Sequence, residues 1–295
     1  MTQRRAVALG SFDGLHRGHR AVLDLALSFK ERGFEPCALV FDEHPLKVVG
    51  AGSPPELMTR QARDEMLESL GITVQKISFA RIADMSARQF VNEILIDELN
   101  AGAVCCGYNY RFAKNAAADS HNLEELCKAH GVLCAVAQRT EYNGAPISST
   151  RIRNALSNGY VEDANAMLGR KFSYKFTVVS GDRRGRLIGA PTINQHFPEG
   201  FIVPKFGVYA SCVPIDGELH AAVTNIGRRP SFTCDDLRSE TCITDFSGDL
   251  YGKDVEVRLL QYIRPERVFD SLDALGDQIA QDAQKAREIF NKTEK

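Results

Sequence analysis

The sequence predicts an α/β domain built on a parallel sheet, followed by a small antiparallel β-barrel domain with a C-terminal helix. Strand-like and helix-like segments alternate from Arg4 to about Gly131. After Gly169 the alternation stops and hairpin signals replace it. One amphipathic stripe, Leu272, Leu275, Ile279, Ala286 and Phe290, then reads as a closing helix. Regular alternation calls for parallel strands joined by crossover helices that cover both faces of the sheet, a Rossmann-like layout. Strands without intervening helices call for antiparallel pairing. The boundary is placed at Gly169, giving domains 1–169 and 170–295.

Ala6-Val7-Ala8-Leu9 reads as a short buried strand, and Gly10 and Gly14 allow a tight turn after it. Val22, Leu25, Ala26 and Phe29 then recur at helical spacing, with Lys30 and Arg32 in the last turn and Gly33 as a stop. Pro36 to Asp42 is a second buried strand, followed by the loop Phe41-Asp42-Glu43-His44-Pro45. Gln61 to Leu70 is helical and Ile72 to Phe79 strand-like. Ser86 with Gln89 forms a capping box that opens a helix through Phe90, Ile94, Leu95 and Leu99. Ala103 to Cys106 is another strand, and it runs into the loop Gly107 to Asp119. A helix from Leu123 to His130 and a strand from Val132 to Ala137 follow. Ile147 to Arg153 precedes a short helical pattern, and a further helix runs from Val161 to Leu168.

In the second domain Lys171 to Gly181 is strand-like. Pro191 opens an edge strand after the glycines of Gly185 to Asn194. Tyr209 to Pro214 and His220 to Thr224 flank Asp216-Gly217, a hairpin signal, and Val255 to Ile263 alternates as a strand.

Over 295 residues, 44% hydrophobic and 25% charged content are those of an ordinary soluble globular protein. No apolar run approaches a membrane span, and MTQRRAVALG is interrupted too soon for a signal peptide. A formal net charge of −2 argues against a mainly nucleic-acid-binding role. The expectation is a cytoplasmic protein with neither membrane nor nucleic acid as partner. The eight cysteines include no C-x-x-C pair, so they read as small apolar residues in a reducing compartment.

Three stretches can carry chemistry. In the first, Leu9 to Arg20, His16 and His19 stand three residues apart at a helix entrance and face the same way. A helix N-terminus suits phosphate, and two imidazoles there can donate hydrogen bonds to it as its charge rises. No serine or cysteine nucleophile is needed if one bound phosphate attacks another. Surface or capping histidines are the plainer alternative, and Asp13, His16 and His19 as metal ligands another. In the second stretch, Ile147 to Arg153, three hydroxyls can cap the helix or hold a phosphate, with Arg153 as a charge clamp. The third, Gly185 to Asn194, is not a P-loop. Thr192 and Asn194 offer oxygens suited to Mg²⁺, although a glycine turn before an edge strand explains them equally. The run Arg183-Arg184-Gly185-Arg186 is too short to mark an RNA-binding patch. Tyr108, Tyr110 and Phe112 can stack on a flat ring or pack beneath their loop.

The string Ser11-Phe12-Asp13-Gly14-x-His16-x-Gly18-His19 resembles the G-x-F-D-G-x-H-x-G-H signature of the adenylyltransferase module of bacterial bifunctional riboflavin kinase/FAD synthetases. Its H-x-G-H core is shared with the wider nucleotidyltransferase superfamily. Ile147 to Arg153 is similar to that family's I-S-S-T-x-x-R, and Gly185 to Asn194 resembles the G-x-x-x-G-x-P-T-x-N of riboflavin kinases. Gly207-Val208-Tyr209, Asn225 to Pro230, Glu240 and Leu250-Tyr251-Gly252 agree in order. Ala113 and Ala118 stand where glycine is common, Ala190 where an aromatic is frequent, and Ser231 where threonine is.

The resemblance implies phosphorylation of riboflavin by ATP to FMN in the second domain. It implies adenylylation of FMN to FAD, with release of pyrophosphate, in the first. It implies catalytic roles for His16, His19 and Glu240, the last as general base. ATP of the adenylyltransferase is implied at Gly10, Phe12, Asp13, Gly14, Gly18, Ser148, Ser149, Thr150 and Arg153, and flavin at Asn109 and Phe112. ATP of the kinase is implied at Gly185, Gly189, Pro191, Thr192 and Asn194, with Mg²⁺ on the last two. The alternative is a riboflavin kinase whose adenylyltransferase module is weak or inactive. A non-catalytic flavin- or RNA-binding regulator and a tRNA-ligase-like enzyme are further alternatives, the latter lacking a K-M-S-K-S string.

Overall fold

The computed structural model describes residues 3–42, 52–180, 192–229 and 236–294. The chain divides into two compact units, Met1–Ser149 and Thr150–Lys295.

In the first unit β1 (Arg5–Leu9), β2 (Glu35–Phe41), β3 (Thr73–Ile77), β4 (Ala101–Gly107) and β7 (Leu133–Ala137) form one parallel sheet. Their order is β3-β2-β1-β4-β7, so the winding reverses between β1 and β4. The central strands are continuous apolar runs because helices cover both faces. Side chains alternate across a strand. Val7 and Leu9 therefore share one face with Val104 and Cys106, while Ala6 and Ala8 share the other with Ala103 and Cys105. The first face is covered by Phe90, Ile94 and Leu95 of α3 (Phe90–Glu98) and by Leu123 and Cys127 of α4 (Ser120–Ala129). The second is covered by Val22, Leu23 and Ala26 of α1 (Arg17–Ser28) and by Leu67 of α2 (Arg60–Ser69).

The predicted stop at Gly33 and the Ser86–Gln89 cap are in place. Helix α1 passes into a tighter turn, Phe29–Arg32, which Gly33 ends at φ 82°. Ser86 and Gln89 form both bonds of the capping box. The helix they open is wider than expected, since Phe90–Glu98 is π-helical. After β4 a short hairpin pairs β5 (Arg111–Phe112) with β6 (Ala118–Asp119). A second, β8 (Glu141–Tyr142) with β9 (Ala145–Pro146), precedes α5 (Ser149–Asn158).

In the second unit β10 (Phe172–Thr177), β11 (Thr192–His196), β12 (Gly207–Ile215), β13 (Glu218–Arg229), β14 (Asp236–Ile243) and β15 (Asp254–Arg264) form one antiparallel sheet. The order is β10-β15-β12-β13-β14-β11. This six-stranded sheet curls into a half-barrel, and Val179 pairs with Asn194 where its two outer strands meet. The Asp216-Gly217 turn takes φ 50° and 88°, as a two-residue hairpin turn requires. Tyr209, Ser211, Thr224 and Thr241 are buried, and the last three hydroxyls link at 2.8 and 2.9 Å. On the other face Val208, Ala210, Cys212 and Leu260 pack against Ala286 and Phe290 of α7 (Leu272–Thr293). Buried Asp282 of that helix takes a 2.7 Å bond from Arg264. Helix α6 (Val161–Leu168) also belongs to this unit. Its Asn165 donates to the Leu259 carbonyl and accepts from the Phe172 N–H. Packing thus divides the chain after Ser149, whereas strand–helix alternation divides it at Gly169. Among the described residues no helix is long and apolar enough to cross a membrane.

Candidate active sites

The loop between β1 and α1 lies at the carboxyl end of β1, beside the reversal of strand order where open α/β sheets collect ligands. Phe12, Gly14 and Leu15 have φ of 52°, 78° and 39°, so the chain turns sharply. Phe12 is fully buried, with its ring 5.4 Å from that of His19. Its side chain therefore packs beneath the loop. A Cβ on Gly10 would stand 3.2 Å from the Phe12 ring, and one on Gly18 3.2 Å from the His16 ring. Those two glycines permit the packing.

His16 is the N-cap of α1, and its Nδ1 accepts the His19 N–H at 3.2 Å. An accepting Nδ1 leaves the ring proton on Nε2, which becomes the donor. The His16 and His19 rings stack at 3.7 Å and 14°, so the expected shared orientation is present. Asp13 is a tether. Its Oδ1 accepts the Leu57 N–H at 2.9 Å, and its carbonyl accepts the Ser149 hydroxyl at 3.0 Å. Of the side-chain atoms in the metal alternative, Asp13 Oδ1 and His16 Nδ1 are engaged in protein hydrogen bonds. Ser149 thus joins the second predicted stretch to the first. Ser148 precedes it half-buried, and Thr150 and Arg153 follow on α5, in the second unit.

After β4, Asn109 and Tyr108 are exposed, and a Cβ on Gly107 would stand 3.3 Å from Asn109 Oδ1. Phe112 is buried, 5.6 Å from Phe90 and stacked 5.7 Å from Tyr110. Burial pushes the Tyr110 hydroxyl above its ordinary pKa. Of the three aromatics, Tyr110 and Phe112 pack beneath the loop and Tyr108 reaches solvent. Ala113, where glycine is common in the resembling family, holds φ 65° and ψ 175°.

In the second unit Asn194 of β11 pairs with Glu240 of β14, and Glu240 pairs with Asn225 of β13 on its other side. Paired residues face the same way, as does Thr192 two residues before Asn194. Thr192, Asn194, Asn225 and Glu240 therefore share one face. The neighbours of Glu240 on its strand, Ser239 and Thr241, are the buried ones, at 1% and 0% exposure. Glu240 is half-buried on the opposite face. The neutral oxygens of Thr192 and Asn194 suit a hard cation that also carries phosphates. Among the described residues no three His, Cys, Asp or Glu side chains converge as metal ligands. Gly185, Gly189 and Pro191 lie outside the described residues, as do His44, Pro45, Arg183, Arg184, Arg186, Ala190, Pro230 and Ser231. One neighbour escaped the sequence reading. Glu266 accepts from the Asn225 amide at 3.1 Å, and no spacing or motif marks it.

The family model for FAD synthetase matches residues 1–151, and that for riboflavin kinase matches residues 168–290. A bifunctional riboflavin kinase/FMN adenylyltransferase of Listeria monocytogenes is 32% identical, over 98% of this chain and 94% of that one. The Escherichia coli K12 protein of the same description is 34% identical over 97% and 93%. A solved structure from Streptococcus pneumoniae, described as a macrolide-efflux protein, superposes with a TM-score of 0.88 at 28% identity. That superposition covers 97% of this chain and 95% of the other.

Proposed function

The chain belongs to the bifunctional riboflavin kinase/FMN adenylyltransferase family, and from that premise we propose that it makes FMN and then FAD. The second unit transfers the γ-phosphoryl group of ATP to the terminal ribityl hydroxyl of riboflavin. The first unit joins FMN to the AMP part of a second ATP and releases pyrophosphate.

In adenylyl transfer an FMN phosphate oxygen attacks the α-phosphorus, and the bond to the β-phosphate oxygen breaks. Positioning and charge neutralisation dominate such reactions. His16 Nε2 and the His19 ring donate to phosphate oxygens as charge moves onto the pyrophosphate. The backbone of Gly10, Phe12, Asp13, Gly14 and Gly18 lines the cradle. Ser148, Thr150 and Arg153 hold the triphosphate, and Ser149 positions the cradle through Asp13. Asn109 offers its amide to the flavin, with Phe112 supporting the loop beneath it. In the kinase, Glu240 takes the ribityl proton as that oxygen attacks. Thr192 and Asn194 would hold Mg²⁺, which screens the phosphates when bound. Gly185, Gly189 and Pro191 are assigned to the kinase ATP. The free thiols of the described cysteines suit a reducing, cytoplasmic setting.

The observation that carries the adenylyltransferase is the stacked His16–His19 pair on a phosphate-accepting helix start. The test is incubation with riboflavin, ATP and Mg²⁺ followed by separation of the flavins. Both FMN and FAD are expected. FMN without FAD, from riboflavin or from supplied FMN, would establish the kinase-only alternative.

A further inference from the structure

Three thiols that neither reaction uses meet in the first unit. Cys106 of β4 and Cys127 of α4 are fully buried in one core cluster, and half-buried Cys134 of β7 packs against it. The register explains the meeting. Val104 pairs with Cys134, so Cys106 stands diagonally across from it on the same face of the sheet, beneath α4. All three side chains meet in that one cluster. Strand β7 is the edge of the sheet, so Cys134 alone of the three is open to a small reagent.

We propose that Cys134 is a modification site for peroxide, oxidised to a sulfenic acid that Cys127 resolves into an intramolecular disulfide. The neighbouring Cys106 and Cys127 side chains hold the Cys134 thiol below its ordinary range, and the thiolate is the nucleophile. Burial instead pushes up the thiols of Cys37, Cys105, Cys212 and Cys242. The Cys134 sulfur attacks one peroxide oxygen, the O–O bond breaks, and hydroxide leaves to become water as sulfur gives up two electrons. The Cys127 sulfur then displaces the sulfenic oxygen, forming the S–S bond while that oxygen leaves with the Cys127 proton as a second water. Cys127 is the resolving partner because it sits in the last turn of α4, joined to β7 by a short connection. Cys106 is fixed in a central strand. A two-residue diagonal between adjacent parallel strands spans about 8 Å between Cα atoms, from the strand rise and spacing. A disulfide needs roughly 4.4–6.8 Å.

The test treats the full-length protein with hydrogen peroxide, blocks remaining thiols and maps peptides without reduction. The expected product is a Cys127–Cys134 cross-link, lighter by two hydrogens and lost on reduction. Cys134→Ser should abolish it. Cys127→Ser should leave Cys134 as a sulfenic acid that dimedone captures. Limiting iodoacetamide on the untreated native protein adds a measurement free of substitutions, and Cys134 should be labelled before Cys106 and Cys127. A cross-link to Cys106, an unmodified Cys134 after peroxide, or no preference among the three thiols would overturn the proposal.

Discussion

In the proposed mechanism His16 does two jobs with one ring, because capping α1 through Nδ1 is what leaves Nε2 as donor. His19 has no capping duty, so it is the cleaner probe. His19→Ala should lower FAD formation from FMN by on the order of 10²–10³, the usual cost of one oxyanion donor. FMN formation and melting temperature should stay near wild type. Glu240→Gln should do the reverse, lowering riboflavin phosphorylation by about 10²–10⁴ while supplied FMN is still adenylylated. Steady-state assays of each half-reaction check both, and a variant that impairs both halves would make its residue structural. Ala113 belongs to the same scale. Its φ of 65° with extended ψ is a glycine conformation that typically costs an alanine about 1–3 kcal/mol. Part of that is offset by the extra freedom glycine has in the unfolded chain. Ala113→Gly should therefore stabilise the protein by about 1 kcal/mol, seen as a raised denaturant midpoint at constant slope. A lower midpoint would refute the strain. The histidine spacing was legible in the sequence. A capping histidine was the plainer alternative there, but which of the two caps was not legible, since histidine is not a preferred N-cap residue.

At the scale of elements, the strands and helix ends were legible because their signals are local. Apolar runs, glycine stops and the Ser86–Gln89 box depend on neighbours a few residues away. The side to which Glu240 points was not legible. Period two sets it opposite Ser239 and Thr241, but which side is buried depends on the curl of the sheet and on α7. The π-helical turns of Phe90–Glu98 were hidden too, because their apolar pattern also fits an ordinary helix. Asp119 gives this scale a pH dependence. It caps α4, and the Asn122 and His121 N–H groups lower its pKa. A lowered folded pKa gives stability that is present above the ordinary carboxyl value, about 3.9, and lost as pH falls through the folded one. Asp119→Asn keeps an acceptor without the charge. Its melting temperature should trail wild type at pH 6, and the gap should narrow as pH falls below the ordinary carboxyl value. A gap independent of pH would show that the charge does not matter.

At the scale of the molecule, each unit has its own sheet and core, and α5 and α6 pack with the second. A fragment from Thr150 to Lys295 should fold and make FMN. One starting at Lys171 loses the Asn165 bonds to Leu259 and Phe172 and should melt lower. Thermal unfolding and FMN synthesis compare them, and equal melting would place the working boundary at Gly169. Two cores on one chain also bear on supply. Translation at about 5–20 residues per second completes the first unit roughly 7–30 s before the second. Every ribosome that finishes delivers one copy of each catalyst, so raising or lowering expression never changes their ratio. The balance between FMN and FAD is then left to turnover at each site, because abundance has no leverage over it.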